Sequence, residues 1–123
     1  MSNEITVFGN HTVYNPTVMD QPDIFNFSPA FFTMTGTLIS KGTLLATTGG
    51  VTIPFNGITA PHRSVFHNLD ATNYVQIVDI VSSCNIARLY PGEWAIIPLD
   101  QGVTLKAKAN TASCQLVYAV YSY

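Results

Sequence analysis

The chain has 123 residues, enough for one domain and long enough to bury a core without staples. Only 10% of the residues are charged, against about 25% in ordinary soluble domains, and the net charge is -2. The five cations (Lys41, Arg63, Arg88, Lys106 and Lys108) are scattered, which argues against nucleic acid as a partner, and no apolar run approaches the roughly 20 residues of a membrane span.

Thr (14) and Asn (9) supply much of the polarity instead. A surface of this kind lacks the charge that keeps proteins apart and suits a molecule packed against neighbours, although Thr also simply favours strands. The start, Met1-Ser2-Asn3-Glu4, has neither the basic region nor the apolar core of a signal peptide, which predicts synthesis in a cytoplasm. There Cys84 and Cys114 are expected as free buried thiols and not as a disulfide.

Along the chain, Gly9-Asn10 separates Ile5-Thr6-Val7-Phe8 from Thr12-Val13-Tyr14 and reads as a hairpin turn. Residues 15–32 differ in character: Pro16, Pro22 and Pro29 deny ladder hydrogen bonds, while Phe25, Phe27, Phe31 and Phe32 seek burial. This predicts an irregular extended arm or loop, anchored by its aromatics on a neighbour or laid over the domain's own core. Tyr14, Phe25, Phe27, Phe31 and Phe32 are its candidate protein-interface residues.

Gly49-Gly50 separates two apolar runs and reads as a second hairpin, and Asn56-Gly57 is a third turn. Pro91-Gly92, Asp100-Gln101-Gly102 and Asn110-Thr111-Ala112-Ser113 punctuate the C-terminal half. Val103, Leu105, Ala107 and Ala109 alternate with Thr104, Lys106 and Lys108, the period of a strand with one dry face. The runs 74–81, 94–99 and 114–121 are apolar on both faces, which predicts strands covered on both sides. No segment has helical periodicity of useful length. The pattern predicts an all-β chain: an antiparallel β-sandwich or jelly-roll-like barrel of about eight strands, one domain over 1–123, with 15–32 as arm or covering loop. Val75, Ile77, Ile96, Leu105, Leu116 and Tyr118 are the expected core.

Chemistry is hard to assemble from these residues. His11, His62 and His67 form no metal-binding pair, and a metal site needs three or four convergent ligands. His67 is expected as a partly buried, hydrogen-bonded strand residue. No Gly-x-Ser-x-Gly elbow is present, and nothing marks Cys84 or Cys114 as activated. Asp70, Asp79, Glu93 and Asp100 sit in turns or on strand faces, where solvated roles are the default. The expectation is no enzyme, no cofactor and no metal. Trp94, just after a turn, is a possible sugar-stacking platform, but a Trp opening an apolar run more often packs inward.

Three segments carry a resemblance: Asn68-Leu69-Asp70-Ala71-Thr72-Asn73-Tyr74-Val75-Gln76, Ala87-Arg88-Leu89-Tyr90-Pro91-Gly92-Glu93-Trp94-Ala95 and Lys106-Ala107-Lys108-Ala109-Asn110-Thr111-Ala112. Together they resemble small β-sandwich virion proteins of tailed bacteriophages, of the capsid cement or decoration type. The resemblance spans residues 64–121 and rests on turn-and-strand motifs. Val78 departs from it, where Gly is expected in the following turn, and this predicts a longer strand here. The resemblance implies a non-catalytic structural protein on the capsid surface, bound to the major capsid protein or other virion proteins and assembled as a homo-oligomer such as a trimer. A head-tail connector, a tail or fibre-attached protein, and a carbohydrate-binding sandwich are the alternatives. Asn68, Asp70, Thr72 and Asn73 carry short polar side chains that bond nearby backbone, so their expected role is structural.

Overall fold

The computed structural model describes the backbone over residues 4–13, 23–33 and 39–122, and side chains over 40–122. By its contacts the chain divides into two compact units, Met1–Thr35 with Tyr123, and Gly36–Ser122.

In the first unit β1 (Glu4–Val13) and β2 (Asp23–Thr33) form an antiparallel pair. Gly9-Asn10 is therefore no turn, because β1 runs straight through it. The ladder slips there instead: Val7 faces Ala30 while Gly9 faces Phe27, so Phe8 stands opposite both Ser28 and Pro29. Pro29 has no N–H to give, and an extra residue at that point absorbs the missing bond as a bulge. Over Asp23–Thr33 the Pro/Phe-rich stretch is thus a strand and not irregular chain. Residues 15–22, and Tyr14, lie outside the described residues.

The second unit has eight strands: β3 (Ile39–Ala46), β4 (Val51–Thr52), β5 (Arg63–Asn68), β6 (Val75–Asp79), β7 (Asn85–Leu89), β8 (Trp94–Pro98), β9 (Leu105–Ala109) and β10 (Cys114–Tyr121). They form two four-stranded sheets, ordered β3-β10-β5-β8 and β4-β9-β6-β7, with every pair antiparallel. The pairing has one simple rule. β6 pairs with β7, β5 with β8, β4 with β9 and β3 with β10. The second unit is one long ribbon folded back at residues 80–84 and then rolled, which is jelly-roll connectivity in an eight-stranded β-sandwich.

Rolling changes what the turns do. Gly49-Gly50 was expected to close a hairpin, and the Gly50 N–H does reach the Thr47 carbonyl at 3.1 Å. Yet β3 and β4 lie in different sheets, so this turn is a corner between layers. Pro91-Gly92 and Asp100–Gly102 are corners too. At Asn56-Gly57 both residues take positive φ (47° and 86°), the two-residue turn that Asn-Gly favours, and it lies in the β4–β5 crossing. In the second unit the one pair of consecutive strands within a sheet, β6–β7, turns on residues with no glycine. The Asp79 carboxylate accepts from the Val81 and Ser82 N–H groups, and Ser83 takes φ 58°.

The inner faces of the two sheets meet in one core. Phe66, Leu116, Val120, Cys114 and Ala46 come from one sheet, and Val75, Ile77, Leu89, Leu105, Ala107 and Ala109 from the other. Val75, Ile77, Leu105, Leu116 and Tyr118 are buried as expected. Ile96 is not: β8 turns Ala95 and Ile97 inward and sends Trp94, Ile96 and Pro98 out. Since β8 is apolar on both faces, its alternation did not say which side is dry. Val78 does not lengthen β6; it sits at a register slip against β7, and the strand ends at Asp79. Cys84 and Cys114 are free thiols, but only Cys114 is buried; Cys84 is exposed in the β6–β7 turn.

Candidate functional site

The three motifs that carry the resemblance converge on one end of the sandwich. Asn68 closes β5, fully buried, and its amide donates to the Asn73 and Leu89 carbonyls at 2.9 and 3.0 Å. Its Oδ1 accepts the Asp70 N–H, while its own backbone bonds Gly92 and Glu93. The Asp70 carboxylate accepts the N–H groups of Thr72 and Asn73, which hold its pKa below the ordinary value. Glu93 closes the Pro91-Gly92 corner, its side chain taking the Tyr90 N–H at 2.7 Å. Thr111 reaches Asn73 at 2.6 Å. These polar groups spend most of their bonds on backbone and the rest on one another, which is structural work.

A groove of about 420 Å³ lies between the β6–β7 and β8–β9 turns, lined by Asp79, Ser82, Cys84 and Asp100 among others. Its lining holds no histidine, lysine or arginine. Asp79 is engaged by Ser82, first through the hydroxyl and then through the N–H, and its pKa is lowered, which keeps it ionised. A carboxylate held in that state is a poor general acid. Among the described residues no group of three or more His, Cys, Asp or Glu is placed to hold a metal ion.

The feature that stands out is the outer face of the sheet β3-β10-β5-β8. Register places Thr43, Val117, His67 and Trp94 in one row across it, and Lys41, Ala119, Val65 and Ile96 in the next. Leu45 stands beside Gln115 above them, with Leu69 just beyond β5. Trp94 is 66% exposed, Leu45 56% and Leu69 46%. These rows hold one cation, Lys41, and no carboxylate. His67 sits half-buried in the middle of the face. An isolated exposed apolar residue needs no explanation, but a contiguous patch on a rigid sheet marks a contact surface. Sequence reasoning missed it because it placed Trp94 and Ile96 inward.

The expected interface residues belong to the first unit. Phe25, Phe27, Phe31 and Phe32 sit on β2, opposite His11, Gly9, Thr6 and Ile5 of β1.

The other sheet shows a different exterior. Lys108, Gln76 and Arg88 form one row across β9, β6 and β7, with Lys106 one step along β9. Three cations scattered in sequence thus share one face. The Arg88 guanidinium lies 4.4 Å from the centre of the Tyr74 ring, and Tyr90 meets Tyr74 edge-on at 6.0 Å.

No family model matches the chain, and no curated protein or solved structure matches it.

Proposed function

We propose that this chain acts by association and not by catalysis, as a structural protein of a bacteriophage particle, of the capsid cement or decoration type, that binds the major capsid shell. The observation that carries the reading is the exposed apolar patch on the outer face of the sheet β3-β10-β5-β8, centred on Trp94, Val117 and Ile96. Burying such a face against a shell subunit gains about 25 cal/mol per Å² and costs little in desolvated charge. The phage setting rests on the resemblance of the segments around Asn68, Pro91-Gly92 and Lys106. A homo-oligomer such as a trimer suits a protein set at the symmetric seams of a shell.

The test is to remove the protein from particles and follow heat-induced rupture of the head. Earlier rupture, restored by wild type but not by Trp94→Ala, is the expected result; unchanged rupture with the protein absent from the shell would defeat the reading. Copy number separates the head-tail or tail alternative, which needs only about a ring's worth of copies. The exposure of Trp94 also favours a second reading, a carbohydrate-binding sandwich in which the indole stacks on a sugar ring. Glycan-array binding lost on Trp94→Ala, with the fold intact, would select it.

A further inference from the structure

We infer that the outer face of the sheet β4-β9-β6-β7 is a second binding surface, and that its partner is an acidic protein surface whose carboxylates pair with Arg88, Lys106 and Lys108. The strands gather three of the chain's five cations there. Register sets Lys108 and Arg88 two strands apart, roughly 10 Å between backbones, with Lys106 two residues from Lys108. The one acidic residue on these four strands is Asp79, and its carboxylate is already taken by Val81 and Ser82.

Two of the three cations are held in place. Arg88 lies over the Tyr74 ring, which Tyr90 in turn meets edge-on. The stem of Lys106 runs across Gly50, where a Cβ would stand 3.2 Å from Lys106 Cδ. Gly50 has φ +92° and no side chain, so the lysine lies flat on the sheet. Charges that are already ordered lose less freedom on binding.

Charge complementarity selects the partner. A net charge of -2 opposes a nucleic acid, whose binding needs many more phosphate contacts than three cations supply. Among the described side chains a second copy offers no matching acidic face, because Asp70, Asp79, Glu93 and Asp100 lie at turns and strand ends. An acidic protein surface needs only a few carboxylates at this spacing. The inference is independent of the apolar face and makes the sandwich a two-sided bridge.

The experiment measures binding of the intact chain to immobilised poly-L-glutamate, duplex DNA and heparin, at low and physiological salt. The expected result is binding to poly-L-glutamate that weakens with salt, and that falls roughly tenfold in the triple variant Arg88→Gln, Lys106→Gln, Lys108→Gln. Lys41→Gln, on the opposite sheet, and Trp94→Ala should bind like wild type. Equal binding by the triple variant, tighter binding to DNA or heparin than to poly-L-glutamate, or no binding at low salt would each overturn the proposal. Dichroism of the triple variant checks that the fold survives. Loss of shell binding on Trp94→Ala with poly-L-glutamate binding retained would separate the two faces.

Discussion

The two sheets share one core but present different exteriors. Toward each other both must be apolar, because those side chains leave water together. Away from the core nothing in the fold dictates the residue, and there they diverge. One exterior row reads Thr43, Val117, His67, Trp94; the other reads Lys108, Gln76, Arg88. Inner faces report on folding, whereas outer faces report on use. An apolar exterior that folding does not demand invites a contact partner, and a basic exterior on an acidic chain invites a different one.

The sharpest way to break that contrast is to damage what the faces share. Leu105→Ala or Phe66→Ala leaves a cavity between the sheets and should cost about 2–5 kcal/mol in chemical denaturation. Both exteriors should fail together. A loss under about 1 kcal/mol would mean that the inner face is wrongly placed.

Asn68→Ala should come next, at roughly 2–4 kcal/mol, since it strands the Leu89 and Asn73 carbonyls and the Asp70 N–H at once. Thermal melts will show it. The lost side-chain bonds run from β5 to the end of β7 and to the turn before β6, whereas the backbone bonds of Asn68 to Gly92 and Glu93 survive, so this change should loosen that end of both sheets. Hydrogen exchange that rises in only one sheet would count against the tie.

Acid should act more gently. The pKa values of Asp70 and Asp79 are both lowered, chiefly by the Thr72 N–H for the first and by the Ser82 hydroxyl for the second. A carboxyl whose folded pKa is depressed stabilises fully above its unfolded value, and the gain is lost as pH falls through the folded one. Stability should therefore hold from neutral pH downward and decline once the pH drops below the ordinary aspartate value. Comparing melts at neutral pH and at about pH 3, the double change Asp70→Asn and Asp79→Asn should flatten the decline. An unchanged slope would assign the acid sensitivity elsewhere.

How much of this was legible in the sequence follows from the same division. Strand alternation in 103–109 named the buried side correctly, because Lys106 and Lys108 can only face water. In β8 and β10 it was silent, since Trp94, Ile96 and Val117 are apolar on the wet side. Turn chemistry located Asn56-Gly57, Pro91-Gly92 and Asp100–Gly102 well. It did not say where the chain went next, because a turn sets local φ and not the sheet that the following strand joins. Gly9-Asn10 misled because a bulge and a turn draw on the same residues. The role of Asn68 was readable from its motif, whereas the basic face was not, since three distant cations meet only through strand register.

The smallest effect on stability carries the most information about use. Trp94→Ala, on an exposed face, should shift stability by less than about 0.5 kcal/mol. Its consequence should appear in association, and salt should then tell the two faces apart. Contacts through the apolar face should hold or tighten as salt rises, particularly in sulfate, because burial of apolar surface is strengthened by excluded ions. Contacts through Arg88, Lys106 and Lys108 should weaken over the same range, because charges a Debye length of about 8 Å apart in physiological salt are largely screened. Sedimentation or light scattering of wild type and Trp94→Ala across a salt series reads the first response, and the glutamate-binding assay reads the second. If both responses ran in the same direction, the exteriors would be one surface energetically, and the contrast between the sheets would lose its functional meaning.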